Sequence, residues 1–463
     1  MMRLLEAAQA IGGLAVNGDA DILNVSTDTR SVARGDLFIA LTGEHFDGHD
    51  FVQAAFDQGA AAVMVARAWA DAHPLTQATL IVDDTRLALG QLAAWWRGRF
   101  DLPLVGITGS NGKTTVKEMT AAILRAQAEA DGLDAGSVLA TTGNLNNDIG
   151  LPLMLLRLRD AHRAAVIEMG MNHTGEIAYL TRLAQPTVAL VNNAQRAHLA
   201  GLGSVRDVAR AKGEIFEGLR EGGTAVINAD DAYASLWRES NAGRGVQSFG
   251  LTAAADVTAQ CELHALGSLL NITTPQGKLD VLLKVPGLHN ARNALAATAA
   301  SLAAGASLVA VQAGLAAFSG VSGRLQIRLA RAAATLIDDS YNANPDSVRA
   351  AIDVLAATPG KKILVLGDMG EIGDRAGQFH DEIGGYAKSQ GVDRLYALGE
   401  QSAVAARNFG PGGLHFTDVD ALIAAISSDL DANTVVLVKG SRFMRMERIA
   451  NALSVNGAAE LGH

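Results

Sequence analysis

The segment of residues 102–115 constrains the possible fold of this chain more than any other. It opens with an apolar run from Leu102 to Ile107, passes through a turn with two glycines, and enters a helical apolar pattern at Lys113. A strand, a glycine turn and a helix in this order place backbone N–H groups and the positive end of a helix around an anion. The segment therefore predicts an α/β sheet that binds nucleotide phosphates, with Lys113 on the outer phosphates and Thr114 as a ligand of Mg²⁺.

The glycine spacing of this loop departs from the usual phosphate loop, which reads G-x-x-x-x-G-K-[ST]. Here two residues separate Gly109 from Gly112, and five separate Gly106 from Gly112. Because a Gly-Lys-Thr tripeptide is common by chance, the prediction depends on the strand before the loop and the helix after it. A plain strand, turn and helix without a ligand is the alternative.

Composition narrows the class of protein. A chain of 463 residues is too long for one hydrophobic core, and roughly two to four domains are expected. The net charge of −10 argues against nonspecific nucleic-acid binding, which requires a basic surface. The single cysteine, Cys261, and the lack of a signal-peptide pattern after Met1 favour the reducing cytoplasm.

One stretch is long enough to be considered as a membrane span. Residues 293–323 carry no charged side chain, and that length would cross a bilayer. The stretch is mostly Ala, Gly and Ser, however, and it is interrupted at Gly305 and Ser307. Its larger apolar residues are spaced as in two packed helices, so we predict two helices of a soluble domain.

Three successive α/β series are expected, over residues 1–84, 85–322 and 323–463. Apolar runs alternate with helical patterns, which is typical of mostly parallel sheets. The residues 320–323, Gly-Val-Ser-Gly, are the predicted hinge between the second and third series. The predicted strands are Asp36–Leu41, Ala61–Val65, Thr79–Val82, Leu102–Ile107, Ala164–Ile167, Thr187–Val191, Thr335–Ile337, Lys362–Leu366, Arg394–Leu398 and Thr434–Val438.

Polar side chains follow two of the strands after the phosphate loop, at the carboxyl edge where open α/β sheets bind ligands. Glu168 comes directly after the run that ends in Ile167, and a carboxylate there can hold Mg²⁺. A solvated glutamate at a strand end is the alternative. His198 follows the strand that ends near Val191, and both a ligand role and a structural role stay open for it.

Two further loops are rich in polar groups. Residues 141–148 are either a polar loop with Asp148 as a helix cap or a donor-rich surface for a phosphorylated substrate. Residues 338–345 predict a strand end, a polar loop and a helix with Asn344 as N-cap and Pro345 as its first residue. The two carboxylates and two amides of that second loop exceed what a cap requires.

Together these motifs resemble those of the Mur ligase family of cell-wall enzymes. The variant phosphate loop of that family reads as residues 108–115 do, which accounts for the glycine spacing. The Asp-Asn-Pro-x-Arg motif of the diaminopimelate-adding branch is absent, so the resemblance is strongest to the branch that adds D-alanyl-D-alanine. The other matching stretches, in the family's order, are residues 27–30, 43–50, 142–150, 197–199, 211–216 and 338–344.

The resemblance implies a three-domain α/β protein. A small N-terminal domain would bind uridine diphosphate, a central phosphate-loop ATPase domain with a mostly parallel sheet would bind ATP, and a C-terminal Rossmann-like domain would close over it. The implied reaction joins D-alanyl-D-alanine to UDP-N-acetylmuramoyl-tripeptide through an acyl phosphate, with ATP and two Mg²⁺ ions. A monomer is expected.

The resemblance also implies roles for individual residues. Catalytic roles fall to Lys113, His198 and Lys212, and the Mg²⁺ ligands would be Thr114, Glu168, His198 and, if it is carbamylated, Lys212. The implied ATP contacts are Gly109, Ser110, Asn111, Gly112, Lys113, Thr114, Thr115, Asn290, Asn293, Arg324 and Asp339. The implied substrate contacts are Asp28, Thr29, Arg30, Thr142, Asn144, Asn146, Asn147, Asp148, Asn342, Asn344 and Ser441.

Two other functions stay open on the sequence alone. A ligase like folylpolyglutamate synthase shares the phosphate loop and the acyl-phosphate chemistry, but its ATPase domain comes first, whereas about 84 residues precede it here. A nucleotide-dependent switch would hydrolyse or sense ATP without ligating anything. Phosphate release separates these classes, because a ligase needs both of its substrates and a switch needs neither.

Overall fold

The structure is a computed structural model that describes residues 1–74, 76–265 and 267–455. It contains three α/β units in chain order, which confirms the expected fold class and three-domain architecture. Each unit has a mostly parallel sheet, because strands and helices alternate along most of the chain.

The first unit holds a five-stranded sheet and a short antiparallel pair. The sheet order is β2-β7-β6-β5-β4, with only β2 antiparallel to its neighbour, and β1 pairs with β3. The elements are β1 Met2–Arg3, α1 Leu4–Ile11, β2 Leu14–Val16, β3 Asp21–Ile22, β4 Asn24–Ser26, β5 Asp36–Ile39, α2 Val52–Asp57, β6 Ala62–Ala66, α3 Arg67–Ala70, β7 Thr79–Val82 and α4 Thr85–Arg97.

The central unit is built on a six-stranded, fully parallel sheet of order β13-β12-β11-β8-β10-β9. Strand β8 lies between β10 and β11, so the ends of three strands meet at one point of the carboxyl edge. The elements of this part are β8 Leu104–Thr108, α5 Lys113–Ala130, β9 Val138–Ala140, α6 Gly150–Leu155, β10 Ala164–Glu168, α7 Glu176–Ala184, β11 Val188–Val191, α8 Leu199–Leu202, α9 Val205–Gly213, β12 Thr224–Asn228, α10 Ala234–Ser240 and β13 Gly245–Phe249.

An antiparallel sheet and two helices complete the central unit. They are β14 Thr258–His264, β15 Gly267–Thr274, β16 Gly277–Leu283, α11 Leu288–Ala303 and α12 Leu308–Ala317. Helices α11 and α12 are the two predicted from the charge-free stretch, and both pack against α5. In the described part of the chain, no helix has the length and apolar character needed to cross a membrane.

Helices cover both faces of the central sheet. Val105 and Ile107 of β8 pack on one side with α5 and α11, while Leu104 packs on the other side with α4 and α6. Helix α4 begins at the predicted first boundary and contacts α1 of the first unit as well as α6 and α7 of the central unit. It therefore fixes the first unit against the central sheet.

The third unit has a six-stranded sheet of order β17-β18-β22-β19-β20-β21, in which only β17 runs antiparallel to its neighbour. All four strands predicted here are present. The elements are β17 Gln326–Leu329, β18 Thr335–Asp339, α13 Pro345–Ala356, β19 Lys361–Gly367, α14 Ala376–Ser389, β20 Arg394–Leu398, α15 Ser402–Phe409, β21 Gly413–Phe416, α16 Val419–Asp429, β22 Thr434–Lys439 and α17 Glu447–Leu453.

Candidate active site

A cleft of about 1220 Å³ opens at the carboxyl edge of the central sheet. The central unit contributes the phosphate loop, the loop after β9, the end of β10 and residues 192–198. The third unit contributes side chains around Arg324, Asn342 and Glu371. The cleft therefore lies between two units and is large enough for a nucleotide together with a second substrate.

The phosphate loop joins β8 to α5 as the sequence predicts. Gly112 has a φ of 78°, and a Cβ at this position would lie 2.4 Å from Asn293 Oδ1. Only glycine fits such a position. Helix α5 begins at the next residue without a side-chain cap, which leaves its first N–H groups free for an anion.

Three side chains after β11, which the sequence reasoning did not assign, hold this loop in place. Asn192 Nδ2 donates to the Asn111 carbonyl at 2.9 Å, and Asn193 Oδ1 accepts from the Asn111 N–H at 2.9 Å. Asn111 Nδ2 donates to Gln195 Oε1 at 2.6 Å. The signal that pointed to Glu168, polar residues directly after a buried strand, was available for these three residues too.

Lys113 lies within this loop and is half-buried. Its Nζ donates to the Gly109 carbonyl at 3.0 Å. Burial lowers the pKa of Lys113, and the nearby Arg324 lowers it further, while Glu168 and Glu371 act against this shift. The ammonium group is therefore surrounded by charged groups at the place where phosphates would bind.

Glu168, the last residue of β10, is buried, so the solvated alternative is wrong. Its Oε2 accepts from Thr114 Oγ1 at 2.7 Å, and its Oε1 accepts from Asn146 Nδ2 at 2.8 Å. Its N–H donates to Thr141 Oγ1 at 2.9 Å. One carboxylate thus connects the phosphate-loop helix to the loop after β9.

This donor set fits Mg²⁺. The ion prefers oxygen ligands and is usually held by one or two protein groups together with water and substrate phosphates. A hydroxyl and a carboxylate in contact beside a phosphate loop meet that requirement. Within residues 1–74, 76–265 and 267–455, no three His, Cys, Asp or Glu side chains converge to hold a metal without such help.

His198 directly precedes α8 with a φ of 55°, and its ring is mostly buried. Its Nδ1 lies 2.9 Å from Glu371 Oε2 of the third unit. Burial lowers the pKa of His198, as do Lys113 and Lys212, while Glu371 raises it. The histidine lines the cleft, and a residue of the other unit orients it.

Lys212 is completely buried in α9. Its Nζ has no hydrogen-bond partner in the described residues, and it does not line the cleft. Burial lowers the pKa of Lys212 far below its ordinary value, and Lys113 lowers it further. A neutral amine is not an oxygen ligand, so the residue fits an Mg²⁺ site only in its carbamylated form.

Arg324 and Asp339 stand at the third unit's side of the cleft. The Arg324 guanidinium lies 4.3 Å from the centre of the Tyr341 ring. Asp339 Oδ2 accepts from Lys439 Nζ at 2.6 Å, and the same Nζ donates to the Asn342 carbonyl at 2.9 Å. Burial raises the pKa of Asp339, and Lys439 opposes that shift.

Asn344 joins the third unit directly to the phosphate loop. Its Nδ2 donates to Asn111 Oδ1 at 2.8 Å. It also caps α13 as predicted, since its Oδ1 accepts from the Ser347 N–H at 2.9 Å and Pro345 is the first helical residue. The same side chain therefore ends a loop and contacts another unit.

Two asparagines predicted to contact ATP also bond within the protein. Asn293 Oδ1 accepts from Asn192 Nδ2 at 3.0 Å, and Asn293 Nδ2 donates to Asn290 Oδ1 at 3.1 Å. Asn290 Nδ2 donates to the Pro286 carbonyl at 2.8 Å. Both Asn290 and Asn293 line the cleft, where this chain of amides fixes their orientation.

Ser441 is not presented to the cleft. It is buried, its Oγ donates to the Ala343 carbonyl at 3.0 Å, and the Gly370 N–H donates to the same Oγ at 2.7 Å. The hydroxyl thus fastens two loops of the third unit to each other. Both of these hydrogen bonds join Ser441 to residues of the third unit.

The loop after β9 differs from its expectation in one detail. Asp148 does not cap α6: the N-cap residue is Ile149, and the N–H of Gly150, the first helical residue, donates to Asn147 Oδ1 at 2.8 Å. Asp148 instead pairs with Arg86 of α4. An ion pair over this sequence separation has no local signal, so the sequence alone did not show that Asp148 pairs elsewhere instead of capping the helix.

The predicted uridine contacts lie on the first unit, outside this cleft. Asp28 and Arg30 form an exposed ion pair of 2.6 Å. Asp28 also caps the short 3-10 turn that contains Thr29. A ligand that touches both these residues and the phosphate loop has to extend from the cleft onto the first unit.

The structure thus brings most of the predicted residues to one cleft. Lining it are Ser110, Asn111, Gly112, Lys113, Thr115, Asn144, Asn146, Asn147, Asp148, Glu168, His198, Asn290, Asn293, Arg324, Asp339, Asn342 and Asn344. Not lining it are Asp28, Thr29, Arg30, Gly109, Thr114, Thr142, Lys212 and Ser441. Of these, Gly109 and Thr114 bond to the lining residues Lys113 and Glu168.

Models of three protein-family domains match three consecutive parts of the chain. The model of the Mur ligase family, catalytic domain, matches residues 21–97. The Mur ligase middle domain matches residues 107–301, and the Mur ligase, glutamate ligase domain, matches residues 323–442.

Individual relatives match over nearly the whole length. The chain is 45% identical to the UDP-N-acetylmuramoyl-tripeptide--D-alanyl-D-alanine ligase of Escherichia coli (strain K12), over 98% of each chain. The crystal structure of MurF from Acinetobacter baumannii matches with a TM-score of 0.87 and 36% identity, over 96% of this chain and 97% of that one. MurF ligase from Thermotoga maritima in complex with ADP matches with a TM-score of 0.80 and 27% identity, over 93% and 96%. The matched domains and the identity over almost all of the sequence show that this chain belongs to the Mur ligase family.

Proposed function

We propose that this protein is an ATP-dependent, ADP-forming ligase that joins D-alanyl-D-alanine to UDP-N-acetylmuramoyl-tripeptide during peptidoglycan precursor synthesis. The observation that carries this proposal is that one cleft holds the phosphate loop, the buried Glu168 and side chains of the third unit. The Escherichia coli relative bears the name of this reaction, and the Thermotoga maritima structure contains ADP.

The reaction needs two chemical steps because a carboxylate is a poor electrophile. In the first, an oxygen of the tripeptide's terminal carboxylate attacks the γ-phosphorus of ATP, and the bond to the bridging oxygen of ADP breaks. In the second, the amine of D-alanyl-D-alanine attacks the acyl carbon and loses a proton. The tetrahedral intermediate then collapses to the amide and releases inorganic phosphate.

Phosphoryl transfer depends mainly on positioning and on neutralising charge. The uncapped N-terminus of α5 and the loop N–H groups orient the phosphates. Lys113 supplies the positive charge next to them. Asn192, Asn193 and Gln195 hold the loop in shape before the nucleotide arrives, so little reorganisation is needed during the reaction.

Thr114 and Glu168 would hold Mg²⁺, which supplies charge neutralisation at the phosphate oxygens when bound. Asn146 keeps the Glu168 carboxylate in place by a hydrogen bond of 2.8 Å. A second ion, for which His198 and a carbamylated Lys212 are the protein groups, is part of the proposal.

The carbamate hypothesis gains support from the burial of Lys212. Only a neutral amine reacts with CO₂, and burial lowers the pKa of this lysine far below its ordinary value. The reaction would also give a hydrogen-bonding function to an Nζ atom that has no partner in the described residues. A buried polar atom of that kind is rare and calls for an explanation.

The third unit would exclude water from the reacting carboxyl group. Acyl phosphates hydrolyse readily, so a cleft closed by two units protects the intermediate. Asn344 contacts the phosphate loop and Glu371 contacts His198. These contacts place the third unit against the phosphate loop.

The direct test is a substrate panel. UDP-N-acetylmuramoyl-tripeptides ending in diaminopimelate or in lysine are combined with several D-amino dipeptides, and phosphate and the product mass are measured. We expect release of one phosphate per amide, only when ATP, a tripeptide precursor and D-alanyl-D-alanine are all present.

Adding a folate with glutamate to the panel, together with a reaction that contains ATP alone, separates the alternatives. Amide formation from a folate and glutamate would support a folylpolyglutamate synthase-like ligase instead. Phosphate release without either substrate would indicate a nucleotide-dependent switch. Either result would contradict the proposed reaction.

We also propose that the enzyme works in the cytoplasm as a monomer. ATP and the nucleotide-linked precursor would be available there, and one chain contains every element of the cleft described above. Sedimentation at micromolar concentration, with and without ATP, measures the oligomeric state. A stable dimer would contradict the monomer.

A further inference from the structure

Arg196 connects the central unit to the third unit next to the phosphate loop. Its guanidinium Nη2 lies 2.6 Å from Asp346 Oδ1, and its Nη1 lies 2.9 Å from Glu382 Oε2. Its backbone N–H also donates to Asp346 Oδ2 at 2.8 Å. Both acidic residues belong to the third unit, Asp346 in α13 and Glu382 in α14.

The surroundings of Arg196 make these contacts stronger than those of an ordinary surface ion pair. Its side chain is 25% exposed, and the guanidinium lies 5.4 Å from the centre of the Phe379 ring. An arginine that bridges two carboxylates and stacks on an aromatic ring uses its planar geometry, which a lysine does not have. Isolated exposed pairs, by contrast, contribute little.

The position of Arg196 in the chain links these contacts to the phosphate site. The preceding residue, Gln195, accepts from Asn111 Nδ2 at 2.6 Å, and its N–H donates to Ser110 Oγ at 2.9 Å. His198, two residues after Arg196, contacts Glu371 of the third unit. One short segment therefore holds the phosphate loop with one residue and the third unit with the next.

The contacts of Arg196 with its two acidic partners depend on the position of the third unit. Asp346 is in the first turn of α13, two residues after Asn344, which bonds to Asn111. These contacts exist only while the third unit lies against the central unit. They therefore favour the closed arrangement over any open one, which is what a shift between two states requires.

We propose that Arg196 is the positioning residue that docks the third unit onto the phosphate loop. Through Asp346 and Glu382 it brings Asn344 and Glu371 to the cleft, and it acts on turnover without touching the nucleotide. The inference deepens the proposed ligase function and rests on it.

The test compares Arg196→Ala and Arg196→Lys with the wild-type enzyme in three measurements. These are the dissociation constant of ATP, the kcat for phosphate release with both other substrates saturating, and the radius of gyration by small-angle scattering. For Arg196→Ala we expect kcat to fall at least tenfold and the ATP dissociation constant to change less than threefold. The ligand-saturated variant should also have a larger radius of gyration than the wild type, and Arg196→Lys should recover only part of the loss.

Arg349→Ala is the matched control. Arg349 also bonds to Glu382, at 3.0 Å, and stacks on Tyr386, but all of these groups lie within the third unit. If docking depends on Arg196, which bonds from the central unit to the third unit, then Arg349→Ala keeps near wild-type turnover and compaction. Equal losses in both variants would overturn the proposal, because Glu382 would then act inside its own unit.

Two other outcomes also decide the question. Wild-type compaction and turnover in Arg196→Ala would overturn the docking role, and so would a loss of ATP affinity in parallel with kcat. If the wild-type enzyme ligates nothing, the proposed function fails. The scattering comparison of wild type and variant still reports on docking in that case.

Discussion

At the scale of single residues, two lysines of the central unit differ sharply in their surroundings. Lys113 is half-buried, lines the cleft and donates to the Gly109 carbonyl. Lys212 is completely buried, and its Nζ has no partner in the part of the chain that the structure describes. We therefore expect Lys113 to bind phosphate, and the burial of Lys212 is the basis for proposing that it carries a carbamate.

Lys113→Ala should abolish most of the activity and leave the fold intact. Removing one group that stabilises transition-state charge typically costs on the order of 10² to 10³ in kcat. Among the described residues the side chain makes one hydrogen bond, to the Gly109 carbonyl, so the unfolding transition should hardly move. Turnover and urea unfolding are measured side by side, with the exposed Lys278→Ala as control. Near-normal turnover in a folded Lys113→Ala protein would contradict the phosphate-loop assignment.

Lys212→Ala should be nearly inactive and should regain part of its activity when short carboxylic acids are added. The added carboxylate would replace the anionic oxygens of the proposed carbamate. Wild-type activity should fall when CO₂ is rigorously removed and return with bicarbonate. The carbamate hypothesis fails if wild-type activity is indifferent to CO₂ and Lys212→Ala is active.

At the scale of secondary-structure elements, the position of α5 depends on its contact with α12. Gly314 of α12 lies so close to α5 that a Cβ there would be 2.5 Å from the Ile123 Cα. Because the obstacle is backbone and not a flexible side chain, the two helices would have to separate. Helix α5 carries Lys113 and Thr114 at its N-terminus, so this contact supports the site as well as the core.

Gly314→Ala should therefore lower the free energy of unfolding by about 1–3 kcal/mol, the usual cost of overpacking. Urea unfolding followed by circular dichroism measures this change. Gly377→Ala in α14 is the matched control, since a Cβ there meets nothing within 4 Å. Alanine has the higher helix propensity, so the control should be stabilised by up to about 1 kcal/mol. Equal effects of the two substitutions would refute the packing argument.

At the scale of the whole molecule, we expect the connection between the second and third units to act as a hinge. Gly320 has a φ of 103° and Gly323 a φ of 69°, values that other residues rarely adopt. The third unit contacts the phosphate loop through Asn344 and the segment after β11 through Glu371. We expect that unit to move away from the loop when substrates are absent and to return with ATP and the precursor.

Replacing Gly320 and Gly323 by proline should lower turnover more than ATP affinity. Proline fixes φ near −65°, so neither residue could keep its present conformation. Closure would be obstructed while the phosphate loop stays intact. Small-angle scattering with and without ligands measures closure of the third unit. The ATP dissociation constant and kcat are measured on the same variants. An unchanged radius of gyration on ligand binding and full activity of the proline variants would leave the hinge without support.

The local architecture of this protein follows from its amino-acid sequence. The strand, loop and helix at the phosphate loop, the cap at Asn344 with Pro345, and the two helices in the charge-free stretch all appear where they were predicted. The reason is physical. Apolar periodicity, glycine conformation and helix capping act between residues a few positions apart, so their effects are present in any short segment.

Contacts between side chains that are distant in sequence depend on how the chain packs in three dimensions. Arg196 contacts residues 150 and 186 positions away. Asp148 pairs with Arg86 instead of capping α6, and Lys212 is buried without a partner in the described chain. Such contacts depend on strand order and on how the units pack, and no local pattern encodes them. The sequence could therefore place the site at the carboxyl edge of the central sheet, and the packing of the units determined which groups surround it.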